Sequence, residues 1–592
     1  MSDNDSDPPP LTREQQAIVD QPPGALLLLV ADAGTGKTHT LTRRVELLAA
    51  SPLDGTILVL TFSRAVVYEL QVRLAAHGRR VQAVAFDTWA LDLLTRIDPS
   101  ADWSGLPPEA RLDAALQHLT TGLVDELYDD LLHVVIDEAQ DLAGRTREMV
   151  EALLERVDCG FTIAGDPEQA VHADGAGFLG RLREAFGGDL AEARLTQNFR
   201  NRTWEAASAL SHTARLSSLK ESDHYAVLRA ALCERVDVGR LGQGFAADAL
   251  TRYKGTTAVL CRTSAQAMIV SADLQRIGVP HRLCRAPGDR VAPPWVGRLV
   301  GMCQGALLSR PRFEELVATL AVPQELTDGR LWDLLQRTAG GNPADLTLEL
   351  TRLLAGIAAG RLPDELTAQE PAQIMVSSFR RAKGLEFDRI LVADPGPVPP
   401  GDLAAEARLL YLAMTRARYE MFRLEGPDMR GLAVDPGTGR WWRPRAGMQL
   451  LEGDLHTAEP AGVRDFLADA AQVQSYLATA VQSGDAAVLE RLYVHGRGPQ
   501  ESPPYVLVHG GYAIGVASER FRRDLYRLIG DGREPAEFPR TITGIQVDAV
   551  RTVVGSAAAG AHAGLGPYGV WLAPRPAGIG QFIWDRSDHH ER

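Results

Sequence analysis

The chain has 592 residues, of which 45% are hydrophobic and 23% charged; at about 100–200 residues per domain this globular composition leaves room for roughly three or four domains. The formal net charge of −14 excludes a globally basic nucleic-acid binder, so any polyanion site has to be a local groove. The five cysteines, Cys159, Cys233, Cys261, Cys284 and Cys303, contain no C-x-x-C pair, which argues against zinc, iron–sulfur and disulfide frameworks, and no apolar run approaches the roughly 20 residues of a membrane span.

Residues 1–10, MSDNDSDPPP, read as a disordered acidic tail with neither a signal-peptide nor a transit-peptide pattern, and the expected location is cytoplasmic. LTREQQAIVD then predicts a helix with Thr12 as its N-cap. Next comes ALLLLVADAGTGKTHT, residues 25–40. The apolar run from Ala25 to Val30 predicts a short buried strand, Ala31 to Gly36 a loop of small residues, and Lys37 and Thr38 the opening of a helix. Strand, glycine loop, Lys-Thr and helix is the arrangement that cradles phosphates. Gly34 and Gly36 let backbone N–H groups approach the phosphates, and the helix N-terminus adds the positive end of its dipole. Lys37 is placed to reach the β- and γ-phosphates, and the Thr38 hydroxyl to hold Mg²⁺. Just upstream of such a loop, Gln15 is a candidate to read an adenine edge through its amide. Ala31 stands where the motif has its first glycine, and Asp32 puts a carboxylate beside the expected phosphate.

TILVLTFSRAVVYELQVRL predicts a buried strand over Ile57–Leu60, with Thr61, Phe62 and Ser63 at its C-terminal end, and an amphipathic helix from Ala65 to Leu74. Open parallel sheets place ligands at that end of their strands. VQAVAFDTWALDLL repeats the pattern with Phe86, Asp87, Thr88 and Trp89. Residues 97–130 are polar and helical and read as a small insertion. In LLHVVIDEAQDL an apolar strand, Leu131 to Ile136, ends in Asp137 and Glu138. A carboxylate pair at a strand terminus suits a Mg-nucleotide site, one carboxylate for the metal and the other for a proton of the attacking water. CGFTIAGDPEQAVHADGAG gives a strand over Phe161–Ala164, then Gly165, Asp166 and Gln169, an amide placed to sense a γ-phosphate; LTQNFRN offers Gln197, Asn198, Phe199 and Arg200.

A second α/β block begins near residue 250 with TTAVLCRTSAQAMIVSADLQRIGVPHRL. Residues 286–370 interrupt it with helical periods and Pro-rich joints. The block resumes at AQIMVSSFRRAKGLEFDRILVAD, two strands around an A-K-G-L-E-F loop, and AEARLLYLAMTRARYEMFRLEG puts Thr415, Arg416 and Arg418 on a helix running into a final strand.

In order and spacing these segments resemble the UvrD/Rep-type superfamily 1 helicases over roughly residues 11–425. LTREQQAIV is similar to the Q motif, ADAGTGKT to the Walker A loop, LTFSRAVVYEL to the motif after it, AFDTWAL to the early DNA loop and VVIDEAQD to Walker B; GDPEQAVHADGA, LTQNFRN, AKGLEFDRI and LLYLAMTRAR are similar to the four later motifs. The resemblance implies an α/β fold of two RecA-like P-loop NTPase lobes with short helical insertions, and the β-like runs after residue 426 add the expectation of a small β-rich C-terminal domain. The first lobe would span 11–215 with its insertion at about 97–130, the second 216–285 and 371–425 around a helical insertion at 286–370, and an accessory α+β domain 426–592. ATP would lie between the lobes, in contact with Ala33, Gly34, Thr35, Gly36, Lys37, Thr38 and His39, and Thr38 and Asp137 would hold Mg²⁺. Glu138 would orient and deprotonate the attacking water, and Gln169 would couple the γ-phosphate to DNA. Arg200 and Arg416 would act as arginine fingers, Phe199 would stack on adenine beside Gln15, and Glu386 would face the ribose. Thr61, Phe62, Phe86, Thr88 and Arg380 would contact DNA.

The implied activity is that of an ATP-dependent 3′–5′ helicase or translocase on single-stranded DNA. A DNA-stimulated ATPase that strips proteins from nucleic acid, DNA or RNA, without unwinding it is the alternative enzyme. A nucleotide-switched module that recruits a protein partner through its C-terminal domain is the alternative of a different class; none of the three involves a membrane. Departures from the family pattern fall on the DNA side. Asp174 stands near the usual stacking aromatic, His172 replaces a tyrosine, and Arg380 and Asp87 replace histidines. The insertions are short for the family, which bears on duplex unwinding more than on translocation.

Residues 426–592 lie outside the resemblance. In GTGRWWRPRAG, Trp441 and Trp442 with Arg440, Arg443 and Arg445 are either a base-stacking, phosphate-holding cluster or a strand packing its tryptophans. A helical piece, VRDFLADAAQVQSYLATAV, precedes β-like runs, among them YVLVHGGYAIGVAS, which predicts a hairpin around His509–Gly511. No metal-nuclease constellation is evident there.

Overall fold

The computed structural model describes residues 10–585 apart from 33, 63–66, 68, 69, 71–79, 99, 100, 102, 104, 105, 123, 167–172, 204, 205, 207–218, 242–249, 286–288, 324, 325, 368, 370, 371, 399–402, 463–468, 493–500 and 531–536. The predicted acidic tail and most of the predicted helix from Ala65 to Leu74 therefore lie outside the described residues. The chain forms two compact units: Met1–Glu234 with Ala382–Arg389 and Pro397–Met421, and Arg235–Arg381 with Ile390–Gly396 and Phe422–Arg592.

In the first unit, short apolar runs alternate with helices and build a parallel sheet. Its strands are β1 (Leu26–Ala31), β2 (Thr56–Thr61), β3 (Val81–Ala85), β4 (Leu131–Ile136), β5 (Gly160–Gly165) and β6 (Leu190–Leu195), in the order β3-β2-β4-β5-β1-β6. Central strands of such a sheet are covered on both faces, which is why they read as unbroken apolar runs. Leu28, Leu58, Leu60, Val134, Ile136 and Ile163 enter one core with the helices Phe86–Ile97 and Gly144–Leu154. Leu27, Leu29, Ile57, Val59, Val135 and Ala164 enter the other with the helix Lys37–Ala49. β1 and β4 both pair in parallel with β5, so the C-terminal ends of these three strands lie side by side. The expected insertion contains the helix Pro108–Thr121, packed on Gly144–Leu154. The helices Glu221–Cys233 and Leu403–Met414, which the motif spacing assigns to the second lobe, pack on each other within this unit.

Beyond that parallel sheet the described residues build three further sheets. The strands β7 (Thr257–Cys261), β8 (Arg282–Leu283), β11 (Ile374–Ser378), β12 (Phe387–Ala393) and β13 (Ala417–Leu424) lie in the order β13-β12-β7-β11-β8, with β7 and β8 parallel to β11. Between β8 and β11 come the helices Pro294–Gly301, Arg310–Val317, Asp328–Thr338 and Leu350–Ala358 and a two-stranded antiparallel pair, β9 (Leu307–Ser309) with β10 (Thr347–Glu349). After residue 426 the antiparallel sheet contains β14 (Ala433–Val434), β15 (Trp441–Arg443), β16 (Gly447–Gln449), β17 (Ala486–Arg491), β18 (Tyr505–His509), β19 (Tyr512–Val516), β20 (Thr541–Val554), β21 (Val570–Ala577) and β22 (Ile579–Ile583). It runs β14-β15-β16-β22-β20-β17-β18-β19, with β21 on β20. The hairpin expected around His509–Gly511 is β18–β19. The tryptophan cluster is a strand: Trp442 packs on the core of this sheet, and Arg440 is buried in ion pairs with Asp454 and Asp524.

Candidate nucleotide site

The strand–loop–helix around Lys37 folds as its composition dictates. Gly34 and Gly36 adopt φ of 77° and 81°, left-handed values that β-carbons disfavour. Space forbids a side chain as well: a Cβ on Gly34 would lie 2.7 Å from Cβ of Arg200, and one on Gly36 would lie 2.7 Å from Nε2 of Gln15. The loop is thus pressed between the 198–200 segment and the N-terminal helix. Backbone N–H groups of Phe199 and Arg200 donate to the Gly34 carbonyl at 2.8 and 3.2 Å. The predicted helix start is the helix Arg13–Val19, capped by a reciprocal pair in which Thr12 Oγ1 accepts from Gln15 N and Gln15 Oε1 accepts from Thr12 N. Gln15 Nε2 then donates to the Thr35 carbonyl at 3.4 Å.

Lys37 Nζ donates to the Ala31 and Asp32 carbonyls at 2.9 and 3.3 Å and lies 3.9 Å from Asp166 Oδ2. Thr38 Oγ1 donates to Asp137 Oδ2 at 2.9 Å, joining the first turn of the P-loop helix to the end of β4. Asp32 lies beside Arg194, 3.9 Å away. Glu138 takes a left-handed backbone, φ 59°, rare for a residue with a side chain, and its N–H donates to Asp137 Oδ1 at 2.8 Å. Gln140 bridges the carboxylate to the next strand: its Nε2 donates to Glu138 Oε2, and its Oε1 accepts from Asp166 N at 2.9 Å.

Electrostatics separate the two carboxylates. Burial, and then Glu138, raise the Asp137 carboxyl above the ordinary aspartate range, against the pull of Lys37 and Thr38. Burial pushes Glu138 up too, but Lys383 and Lys37, helped by Gln140 and Arg416, overcome it and hold Glu138 below the usual range. Lys383 is ion-paired to Asp141 and lies 5.8 Å from the Phe62 ring centroid; burial lowers its ammonium to about 8, opposed by Glu138. Arg416 is fully buried, donating from Nε to the Leu412 carbonyl at 2.9 Å and from Nη2 to Thr415 Oγ1 at 3.1 Å. Burial, and then Arg200, pull its guanidinium down to about 9, against Glu138, Glu386 and Asp166. Arg200 donates from Nε to Glu386 Oε1 at 2.7 Å and from Nη1 to the Thr415 carbonyl at 3.2 Å, and Arg418 takes the other Glu386 oxygen at 3.3 Å. Burial acts to raise the Glu386 carboxyl, and Arg200 and Arg418 bring it below its ordinary value.

Lys37, Thr38, Asp137, Glu138, Arg200, Glu386 and Arg416 are therefore gathered in one unit. Phe199, 42% exposed, flanks Gly36 beside Gln15, and His39 lies on the first turn of the P-loop helix. Ala33 and Gln169 lie outside the described residues. Gln140, Asp141 and Lys383 belong to the cluster although the sequence reading passed over them; their signal was adjacency, two and three residues past Glu138 and three before Glu386.

The expected DNA contacts divide. Thr61, Phe86 and Thr88, DNA contacts by the resemblance, are buried, at 0%, 3% and 4% exposure. For Phe86 the reason is local: the helix Phe86–Ile97 starts immediately after β3, so Phe86 turns into the core, where the Phe62 ring lies tilted against it at 4.5 Å and Trp89 meets it edge-on at 6.5 Å. Thr61 is held in register with Ala85. Phe62 remains half-buried, and Arg380 is exposed at the start of the turn Arg380–Ala382 in the second unit.

Residues 14–174 match the family described as an AAA domain, and residues 373–422 match the UvrD-like helicase C-terminal domain, in the chain order that the motifs predict. Both matches agree with the resemblance to superfamily 1 helicases that the motifs carry. Lys37, Thr38, Asp137 and Glu138 fall within the first match, and Arg416 and Glu386 within the second. No curated protein matches this chain in sequence. Among solved structures it is similar to the Pif1 helicase from Bacteroides in complex with ADP-AlF3 and ssDNA, with 13% identity and a TM-score of 0.32 over 71% of this chain and 96% of that one. It is also similar to the DUF1998 helicase MrfA bound to DNA, with 12% identity and a TM-score of 0.32 over 71% of this chain and 49% of that one. Among the described residues no helix is long and apolar enough to cross a membrane, and no group of three or more acidic, histidine or cysteine side chains is arranged to hold a metal by itself.

Proposed function

We propose that this helicase is a motor that couples ATP hydrolysis to 3′–5′ movement along single-stranded DNA. The observation that carries the reading is the convergence in one unit of Lys37, the Asp137–Glu138 pair and the arginines Arg200 and Arg416. The donor set fits Mg²⁺. Among the described residues no cationic side chain lies within ion-pair distance of Asp137, whose carboxyl is pushed up by burial, and Thr38 adds a second hard oxygen. When bound, Mg²⁺ neutralises charge on the phosphate oxygens.

The chain's own residues do the rest. Lys37 exchanges the Ala31 and Asp32 carbonyls for phosphate oxygens. Gln15 exchanges the Thr12 N–H and the Thr35 carbonyl for the N6 and N7 edge of adenine, and Phe199 stacks on the base. Glu138, kept ionised by Lys383 and Lys37 and oriented by Gln140, accepts the proton of the attacking water. Arg416 and Arg200 supply positive charge where negative charge develops on the transferring phosphoryl group. Gln169, which follows β5, is the candidate to sense the γ-phosphate. Phe62 and Arg380 are the candidates to meet DNA.

The burial of Thr61, Phe86 and Thr88 favours a second reading, a DNA-stimulated ATPase that strips bound proteins without unwinding, since three of five expected DNA contacts are withdrawn from the surface. Strand displacement on 3′-tailed and 5′-tailed duplexes, run beside ATPase assays with single-stranded DNA, separates the two. Unwinding of 3′-tailed duplex alone is the expected result. Stimulated ATPase without displacement selects the second reading, and displacement from 5′ tails overturns the polarity.

A further inference from the structure

A buried arginine joins the adenine side of the site to the P-loop helix. Arg44, two turns into the helix Lys37–Ala49, is completely buried. Its fork is used up on neutral acceptors: Nη1 donates to the carbonyls of Ile18, Val19 and Gln21 at 3.2, 3.3 and 2.8 Å, Nη2 to that of Pro22 at 3.1 Å, and Nε to Thr162 Oγ1 at 2.7 Å. Ile18 and Val19 end the helix that carries Gln15, so the guanidinium stands at the negative end of that helix and satisfies carbonyls that have no partner within it.

The network closes through His133. Its Nδ1 lies 2.6 Å from the Pro23 carbonyl, which can only accept, so Nδ1 carries the proton. Its Nε2 is then an acceptor, and the Thr162 hydroxyl, 2.9 Å away, donates to it while accepting from Arg44. The P-loop helix, β5, β4 and the segment 18–23 are thereby tied by one chain of hydrogen bonds.

The Gln15 helix needs such an anchor. It has seven residues, too few to be stable in isolation, and its only reciprocal cap is at the other end, where Gln15 itself is a partner. When Gln15 releases Thr12 to meet a base, the side-chain half of the cap is lost, only Gln15 N–H on Thr12 Oγ1 remains of it, and the Arg44 clamp at the far end, with the Thr196–Glu14 bonds, keeps the helix against Thr35 and Gly36. We infer that Arg44 is a positioning residue for base recognition, holding the Gln15 helix so that the helicase discriminates adenine from other purine nucleotides. The inference rests on the proposed reading of Gln15.

The test is the ratio of kcat/KM for ATP to that for GTP, measured on the full chain for wild type, Arg44→Lys, Thr162→Val and Gln15→Ala, with thermal unfolding of each. Lysine keeps the charge but not the fork that meets four carbonyls and a hydroxyl at once. Arg44→Lys is expected to lower the ATP/GTP ratio roughly tenfold, through KM for ATP, with kcat at saturating ATP within about twofold of wild type. Thr162→Val, which removes a single link, is expected to shift the ratio in the same direction by less. If Gln15→Ala leaves the ratio unchanged, the adenine reading of Gln15 fails and takes the inference with it. If Gln15→Ala lowers the ratio but Arg44→Lys and Thr162→Val do not, or if they reduce turnover of both nucleotides equally in step with lost thermal stability, Arg44 is only a scaffold residue and the inference is overturned.

Discussion

Thr38 donates its hydroxyl to Asp137 across 2.9 Å, so the P-loop helix and β4 meet through the two oxygens best placed for a divalent cation. A cation drawn to Asp137 has to share or replace that bond. Thr38→Val keeps the shape and removes the oxygen. The half-saturating Mg²⁺ concentration for ATPase should rise by roughly 10–100-fold in this variant and return close to wild type in Thr38→Ser. A Mg²⁺ titration that Thr38→Val leaves unmoved would show that the hydroxyl only braces Asp137.

Glu138 and Asp137 are neighbours in sequence with opposite shifts, one held below and the other raised above its ordinary range. Both carboxylates are ionised at neutral pH, but Thr38 and the Glu138 N–H occupy the two oxygens of Asp137, which leaves Glu138 as the proposed base. Glu138→Gln keeps the hydrogen-bonding outline and should lower kcat by roughly 10²–10⁴-fold while nucleotide binding, read by a fluorescent ATP analogue, stays within a few-fold. Equal losses of binding and turnover would mean that Glu138 serves the metal or the fold instead.

Arg416 makes a parallel case for charge. It is fully buried and close enough to feel the charges of Arg200, Glu138, Glu386 and Asp166. Arg416→Ala should reduce kcat by about 10³-fold or more with a smaller change in KM, as expected of a group whose charge matters most in the transition state. Arg200 is different, because it is already committed to Glu386. Its removal should also loosen Glu386, and Glu386→Gln should reproduce part of the Arg200→Ala effect in the same steady-state assay.

How far these sites were legible depended on distance along the chain. The strand, the loop glycines, Lys37 and the Thr12 N-cap are set by residues within a few positions of one another, and the spacing alone predicts them; the return bond from Gln15 was not read from it. Arg44 was not legible, because its partners sit 22 to 26 residues before it and 118 after it, and nothing in LTRRVELL separates a clamp from a solvated arginine. The burial of Phe86 was not legible for a related reason: strand ends usually face ligands, but the helix Phe86–Ile97 begins directly after β3 and turns the ring into the core. The two parallel sheets follow from alternating strands and helices. The order of the C-terminal sheet does not, since pairs such as β16 with β22 join segments more than 130 residues apart.

His133 gives a prediction with a definite sign. Burial, and then Arg44, depress its imidazole from the ordinary 6.5 to about 3, against the pull of the Pro23 carbonyl. The unfolded chain therefore takes up a proton below pH 6.5 that the folded chain refuses until about 3, so stability is complete above 6.5 and is lost progressively as the pH falls through that window. At pH 5 the loss amounts to about 2 kcal/mol. His133→Asn should be less stable than wild type at pH 7.5, because it disturbs the Pro23–Thr162 relay, yet its further loss between pH 7.5 and 5 should be smaller by about that amount. Urea unfolding at the two pH values measures both, and an unchanged difference would place the acid sensitivity elsewhere.

Arg440 carries the last prediction into the C-terminal sheet. Its guanidinium and the Asp454 carboxylate are both wholly buried, joined at 2.6 and 2.7 Å, while Nε reaches Asp524 at 2.8 Å and Nη1 also meets the Gln449 carbonyl at 2.9 Å. Burial opposes both charges, and the pairing raises the Arg440 pKa while burial still leaves that of Asp454 elevated. Breaking such a pair from one side strands a charge in the core, so Asp454→Ala should cost about 3–5 kcal/mol. Replacing both partners, as in Arg440→Met with Asp454→Leu, should recover most of that loss, because no unpaired charge remains except on Asp524, which reaches solvent. Tryptophan fluorescence follows the transition through Trp442, which packs on the same core. If the double variant is no more stable than Asp454→Ala, the pair is needed to set the register of β15 and β16 and not merely tolerated there, and nuclease-free limited proteolysis should then find the sheet open between residues 433 and 449.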